Sequence, residues 1–317
     1  MLTLSQTASF LKEHDCFQIY LHAYPDGDTI GSGYALCYAL RSLGKKANVV
    51  CTHPIPASYF FLTDSYKEMD FVPQTLVTTD VANLSLLGDL KEQCENKVDL
   101  AIDHHGTNQL FAKESFIDAS SASNAQIILA LLDELGVELN GYLADCIYTG
   151  LSTDTGCFKH ANTDAACHLV AARLMEAGAQ VELINQYMFD TKSRSRIAIE
   201  KDILDSLEFF CDGAIAFITV TKAMRDAAGI ADGELEGITS IPRSVEGVII
   251  GCTLRETDAG TFKVSVRSRG DINAAAICAN FGGGGHPCAA GCSFTCSLAQ
   301  VKEQLLAKCA NALEAAQ

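Results

Sequence analysis

Four short segments of this 317-residue chain concentrate side chains suited to divalent cations. Residues 22–28 read HAYPDGD, with His22, Asp26 and Asp28; residues 78–80 read TTD and end on Asp80; residues 103–105 are Asp103, His104 and His105; and residues 150–156 read GLSTDTG around Asp154. Two divalent ions about 3.5–4 Å apart can bind the attacking and leaving oxygens of an in-line phosphoryl displacement, and they require a bridging carboxylate plus several oxygen or imidazole donors. Asp26, Asp28, Asp80 and Asp154 carry four negative charges, a formal balance for two such ions. Mixed carboxylate and imidazole donors suit Mn2+ better than Mg2+. No cysteine stands in these motifs, which argues against a thiolate zinc site. Taken singly, each segment has a plainer reading: a solvated Asp-Gly-Asp turn, Asp80 as a helix cap, a surface pair of histidines, or Asp154 as a turn residue. Together they point to a metal site, because each lies where a strand or helix should end.

The elements that must position these groups alternate along the first half. Residues 16–23, 46–52, 75–79 and 98–102 read as strands from their β-branched and apolar content. Residues 31–43 read as a helix stopped by Gly44, and residues 123–135 as a helix capped by Ser123 and ended by Gly136. Residues 141–152, 163–177 and 181–189 continue the helical series. This alternation predicts an α/β fold with a doubly wound, mainly parallel sheet and helices on both faces. In such sheets ligands gather at the carboxyl ends of the strands, which is where three of the four segments fall.

Size predicts two domains. Residues 1–190 form the first, and residues 191–210 a charged helical connector whose Lys192, Arg194 and Arg196 read as a solvated face. Residues 211–317 form a smaller α/β domain across a cleft. In it, residues 214–220, 247–254 and 261–266 read as strands, with a hairpin turn at 258–260. Residues 282–285 are four glycines, and residues 298–315 read as a terminal helix.

The chain holds 23 basic and 39 acidic residues, a net charge of −16, which repels a long polyanion and favours small substrates. Its 14 cysteines are scattered, many in apolar stretches, and read as free thiols in a reducing compartment. Cys288, Cys292 and Cys296 recur every fourth residue but lack a second ligand pair for zinc. No secretory signal is evident at the start, and no apolar run reaches the ~18 residues of a membrane span, so a cytoplasmic protein without membrane association is expected.

Five motifs in order, HAYPDGDTIGS, VTTD, AIDHH, GLSTDTGCF and FGGGGHPCAAG, with VRSRGDIN before the last, resemble the DHH phosphoesterase superfamily and its DHH-associated domain over nearly the whole chain. The length and domain pairing are most similar to its nanoRNase and pAp-phosphatase group. That resemblance implies a hydrolase that cuts oligoribonucleotides of about 2–5 nucleotides to mononucleotides, or 3′-phosphoadenosine 5′-phosphate (pAp) to AMP, by two-metal activation of a bridging hydroxide. It implies two Mn2+ ions, with Mg2+ or Co2+ as substitutes. His22, Asp26 and Asp80 would hold one, and Asp28, Asp80, His104 and Asp154 the other, with Asp80 bridging. Asp103 would orient a ligand imidazole, and His105 would sit near the scissile phosphate as proton donor or phosphate contact. In the second domain, Arg267, Ser268, Gly283, Gly284, Gly285 and His286 would bind substrate, the glycines by letting backbone N–H groups approach phosphate. A homodimer is compatible with the resemblance. The rival readings are a linear or cyclic dinucleotide phosphodiesterase, an exonuclease on long single strands, a manganese pyrophosphatase and a non-catalytic nucleotide sensor. The acidic charge speaks against the exonuclease. The glycine-rich histidine motif speaks against the pyrophosphatase, and the complete ligand set against the sensor.

Overall fold

The computed structural model describes residues 1–230, 235 and 237–316. These fall into two compact units, Met1–Thr191 and Lys192–Gln317.

The first unit is built on five parallel strands, β1 (Phe17–Tyr20), β2 (Ala47–Val50), β3 (Thr75–Thr79), β4 (Leu100–Asp103) and β5 (Glu114–Ile117), in the order β2-β1-β3-β4-β5. β1, β3 and β4 coincide closely with expected strands. β5 was not expected: four residues at a sheet edge, with one fully buried side chain, carry too little apolar periodicity to stand out. The order reverses between β1 and β3, and at such a switch point the loops leaving two neighbouring strands diverge and open a crevice at their carboxyl ends. A large apolar cluster lies on one side of the sheet, and a smaller one around Tyr20, Val81, Leu87, Cys94 and Val98 covers the other.

Two helices fix the floor of that crevice, Gly27–Ser42 and Gly141–Asp154, and both differ from expectation at the end that matters. The first begins at Gly27 rather than at residue 31, because Asp26 caps it by accepting hydrogen bonds from the N–H groups of Asp28 and Thr29, each at 3.1 Å. The second runs two residues past 152, so that Asp154 is its last residue. They pack backbone to backbone. A Cβ on Gly31 would lie 2.2 Å from the Cys146 carbonyl oxygen, and one on Gly150 would lie 2.7 Å from Asp28 Oδ1. Only glycine permits this approach, and it sets the start of one helix beside the end of the other.

The second unit is a six-stranded mixed sheet, β10-β11-β9-β8-β7-β6, with β7 (Ile215–Val220) parallel to β8 (Ile250–Glu256) and the other pairs antiparallel. The remaining strands are β6 (Glu208–Phe210), β9 (Phe262–Ser268), β10 (Gly284–His286) and β11 (Ala289–Phe294). Residues 191–210 hold the Arg194–Asp205 helix, whose Ile199 and Ile203 are buried in a cluster with Ile218 and Val220, and then β6. The Leu298–Glu314 helix buries Val301, Leu305, Cys309 and Leu313 at successive turns against the other face. No helix among the described residues is long and apolar enough to cross a membrane.

Candidate metal centre

Asp80 sits at the middle of the crevice. It follows β3, and its N–H still donates to Ile102 on β4 at 3.0 Å, but its backbone turns to a φ of +59°, a left-handed conformation that aspartate tolerates better than most residues. The turn lifts the carboxylate between two imidazoles: His22 Nε2 is 3.9 Å from Asp80 Oδ2, and His104 Nε2 is 3.5 Å from Asp80 Oδ1. Asp80 is 3% exposed, yet Oδ1 has no hydrogen-bond partner among the described residues.

Around it the donors form two groups, linked by a third made of Asp80, His104 and His105. His22, Asp26 and Asp80 make one, with His22 Nε2 3.5 Å from Asp26 Oδ1. Asp28, His104 and Asp154 make the other, with His104 Nε2 3.8 Å from Asp28 Oδ2 and 3.3 Å from Asp154 Oδ2. His105 also comes within reach, its Nδ1 3.5 Å from Asp80 Oδ1.

The supports behind these donors were not readable from the motifs. Fully buried Asp28 accepts from the N–H groups of Asn124 at 2.6 Å and Ala125 at 2.8 Å, the first turn of the Asn124–Leu135 helix, where a negative charge is favoured. Ser123 was legible as that helix's cap, but nothing in the sequence said which carboxylate would meet it. His104 Nδ1 faces the Ser121 carbonyl oxygen at 3.2 Å, so donation there leaves the Nε2 lone pair toward Asp28, Asp80 and Asp154. Asp103 orients His105 instead: its Oδ1 accepts from His105 Nδ1 at 2.8 Å and from the backbone N–H groups of His104 and His105. Its Oδ2 accepts from Asn108 at 2.7 Å, and Asn108 is a part of the site that no motif signalled.

The electrostatics are those of anions crowded without a countercharge. Burial, with the nearby Asp26 charge, pushes the Asp28 carboxyl up to about 7 against the pull of the Asn124 and Ala125 N–H groups. Burial together with Asp28 and Asp26 pushes Asp154 up to about 8, and burial with the surrounding carboxylates drives Asp80 well above the ordinary range. For Asp26, burial is outweighed by His22 and the N–H groups of Thr29 and Asp28, and the carboxyl falls. Burial also acts against Asp103, but His105 and Asn108 hold it low. Its hydrogen bond in turn raises His105, whereas burial and the neighbouring His105 charge lower His104. Among the described residues no lysine or arginine pairs with Asp26, Asp28, Asp80 or Asp154. An unpartnered oxygen on Asp80, all-oxygen-and-imidazole donors and mutually repelling buried carboxylates fit divalent cations, which would replace that repulsion by attraction.

The expected binding residues of the second unit are arranged differently from a free glycine loop. Gly284 and Gly285 pair with β11 as part of β10, at the edge of the sheet. A Cβ on Gly283 would lie 2.2 Å from the Gly291 carbonyl oxygen, so close packing already requires glycine there. His286 is exposed, and Arg267 is half-buried with Nη1 donating to the Val266 carbonyl oxygen at 3.2 Å. Ser268 departs from the expectation that it contacts substrate. It is 1% exposed, and its hydroxyl lies 2.6 Å from the Ile272 carbonyl oxygen and 3.2 Å from that of Pro287, tying the end of β9 to the loops beside it.

Residues 17–151 match the DHH family N-terminal domain, and residues 214–315 match the DHHA1 domain. A Thermus thermophilus protein named bifunctional oligoribonuclease and PAP phosphatase NrnA is 36% identical over 86% of this chain and 82% of its own length. The chain belongs to the DHH family. It is accordingly a hydrolase of the phosphoesterase type, and members of this family depend on metal. A Bacillus subtilis protein of the same name is 26% identical over 88% of this chain and 90% of its own. Among solved structures, an exopolyphosphatase-related protein from Bacteroides fragilis superposes with a TM-score of 0.85 at 25% identity, covering 98% of this chain and 95% of that one.

Proposed function

We propose that this DHH phosphoesterase uses two Mn2+ ions to hydrolyse short oligoribonucleotides, about two to five nucleotides long, to mononucleotides, and to convert pAp to AMP. The observation that carries the reading is the placement of Asp80 between two donor groups at the switch point of the sheet. The names of the Thermus thermophilus and Bacillus subtilis relatives supply the substrate classes.

His22, Asp26 and Asp80 would hold one ion, and Asp28, Asp80, His104 and Asp154 the other. When bound, the ions lower the pKa of water and neutralise charge that builds on the transferring phosphoryl group. The chain's own residues do the rest. The Asn124 and Ala125 N–H groups and the Ser121 carbonyl hold Asp28 and His104 in place before any substrate arrives. Asp103 accepts the Nδ1–H of His105 in a hydrogen bond that favours the doubly protonated ring, and this partly exposed imidazolium can then give its Nε2 proton to the departing sugar oxygen, ending neutral with Nδ1–H still on Asp103. Arg267, His286 and the glycine edge strand are the proposed phosphate and base contacts of the second domain. The net charge of −16 disfavours long strands, whose many phosphates would need a basic track. Free cysteines throughout the described residues support a cytoplasmic setting.

A panel of pAp, a linear and a cyclic dinucleotide, a five-nucleotide RNA, a long single strand and pyrophosphate, each with Mn2+, tests the reading. The short RNAs and pAp should turn over fastest, and Asp80→Ala should abolish their hydrolysis. Near-normal Mn2+-dependent turnover in that variant, or equal rates on the dinucleotide and the long strand, would sink it.

A further inference from the structure

A second cavity lies in the first unit, lined by the later turns of the Gly27–Ser42 helix and by Tyr66 and Tyr142. Its volume is about 580 Å³, within the range of small-molecule sites. Along the helix, Tyr34 stands six residues past Asp28 and Arg41 thirteen past it. At 1.5 Å per residue they lie about 9 and 20 Å along the helix from Asp28, and no metal donor lines the cavity.

Its walls are aromatic. The Tyr34 ring meets Tyr66 edge-on with centroids 5.1 Å apart, and Tyr38 meets Tyr142 at the same distance. The Arg41 guanidinium carbon stands 4.8 Å from the centre of the Tyr66 ring. Arg41 is held by donating Nε–H to the Ala47 carbonyl and Nη2–H to Asn48 Oδ1, which leaves three of its five N–H groups unassigned and no ion pair among the described residues. Tyr34 is the most telling residue. The residue is 7% exposed and lines the cavity, and its hydroxyl makes no hydrogen bond to another described residue, though it is not among the hydroxyls sealed from solvent.

We propose that this cavity is a binding site for a flat heteroaromatic ring carrying an anionic group, the chemistry of a nucleoside monophosphate. The ring would pack on the tyrosine faces, the anion would take the free N–H groups of Arg41, and a polar edge of the ligand would hydrogen-bond the Tyr34 hydroxyl.

The test is a titration of the full-length, Mn2+-loaded protein with AMP, read on 13C-labelled tyrosine rings. The signals of Tyr34, Tyr66 and Tyr142 should shift saturably, and adenosine, lacking the anion, should bind more weakly than AMP. Tyr34→Phe should leave thermal stability unchanged or raised and weaken AMP by about three- to tenfold, the worth of one hydrogen bond. Ser65→Trp, from an exposed position on the rim, should abolish the shifts while metal-dependent hydrolysis persists. Shifts confined to Tyr24, two residues past His22, would place AMP at the metal centre alone and overturn the proposal. Unchanged AMP affinity in Tyr34→Phe, or equal affinity for adenosine, would overturn it as well.

Discussion

Stripping the metal should make the protein less stable as pH rises, the reverse of the usual behaviour of buried acids paired with cations. Asp28 and Asp154 carry carboxyls pushed up to about 7 and about 8, while in the unfolded chain they titrate near 3.8. Between those values the folded state binds more protons than the unfolded one, so stability is present at low pH and is lost as pH climbs through the folded pKa. Integrating both groups from pH 6 to pH 8 gives a loss on the order of 3 kcal/mol. Asp80, also raised, adds in the same direction. His104, lowered, and His105, raised, shift in opposite senses. For a unit of this size that loss corresponds to about 6–12 °C in Tm. Thermal unfolding at pH 6, 7 and 8, with a chelator and with excess Mn2+, reads the effect. The chelated protein should melt progressively lower toward pH 8. The metal-induced rise in Tm should grow with pH, because cations bind the deprotonated carboxylates. A chelated Tm that is flat or rises over this range, with a metal effect independent of pH, would refute the electrostatic picture of the centre.

Two further substitutions probe the parts around those carboxylates. His105→Asn should lower kcat by 10²- to 10⁴-fold, the usual worth of a positioned proton donor, while leaving the Mn2+-induced Tm rise largely intact. An equal loss of that Tm rise would make His105 a metal ligand instead. Gly31→Ala gains helix propensity of under about 1 kcal/mol but drives a methyl into the Cys146 carbonyl, so a net destabilisation of about 1–2 kcal/mol by urea unfolding is expected, with weaker Mn2+ binding as Asp28 and Asp154 are pried apart.

Much of this protein was legible before folding was considered. Residue type alone determines what a side chain can ligate, and local periodicity determines strand or helix, so β1, β3, β4, the Ser123 cap and the ordered motifs could be read directly. Edge elements such as β5 and β10 could not, because their few residues bury too little to impose a pattern; β10 is a glycine run that reads as a loop until β11 pairs with it. The contacts across long sequence separations belonged to the tertiary structure. It assigned Asp103 to His105, turned Ser268 inward, and placed the first turn of the Asn124–Leu135 helix against Asp28, nearly a hundred residues away. The physical reason is that hydrogen-bonding capacity is a property of each residue, whereas the partner is chosen by packing. Two glycines, Gly31 and Gly150, let two helices close to backbone contact, and that approach set Asp28 and Asp154 on either side of His104.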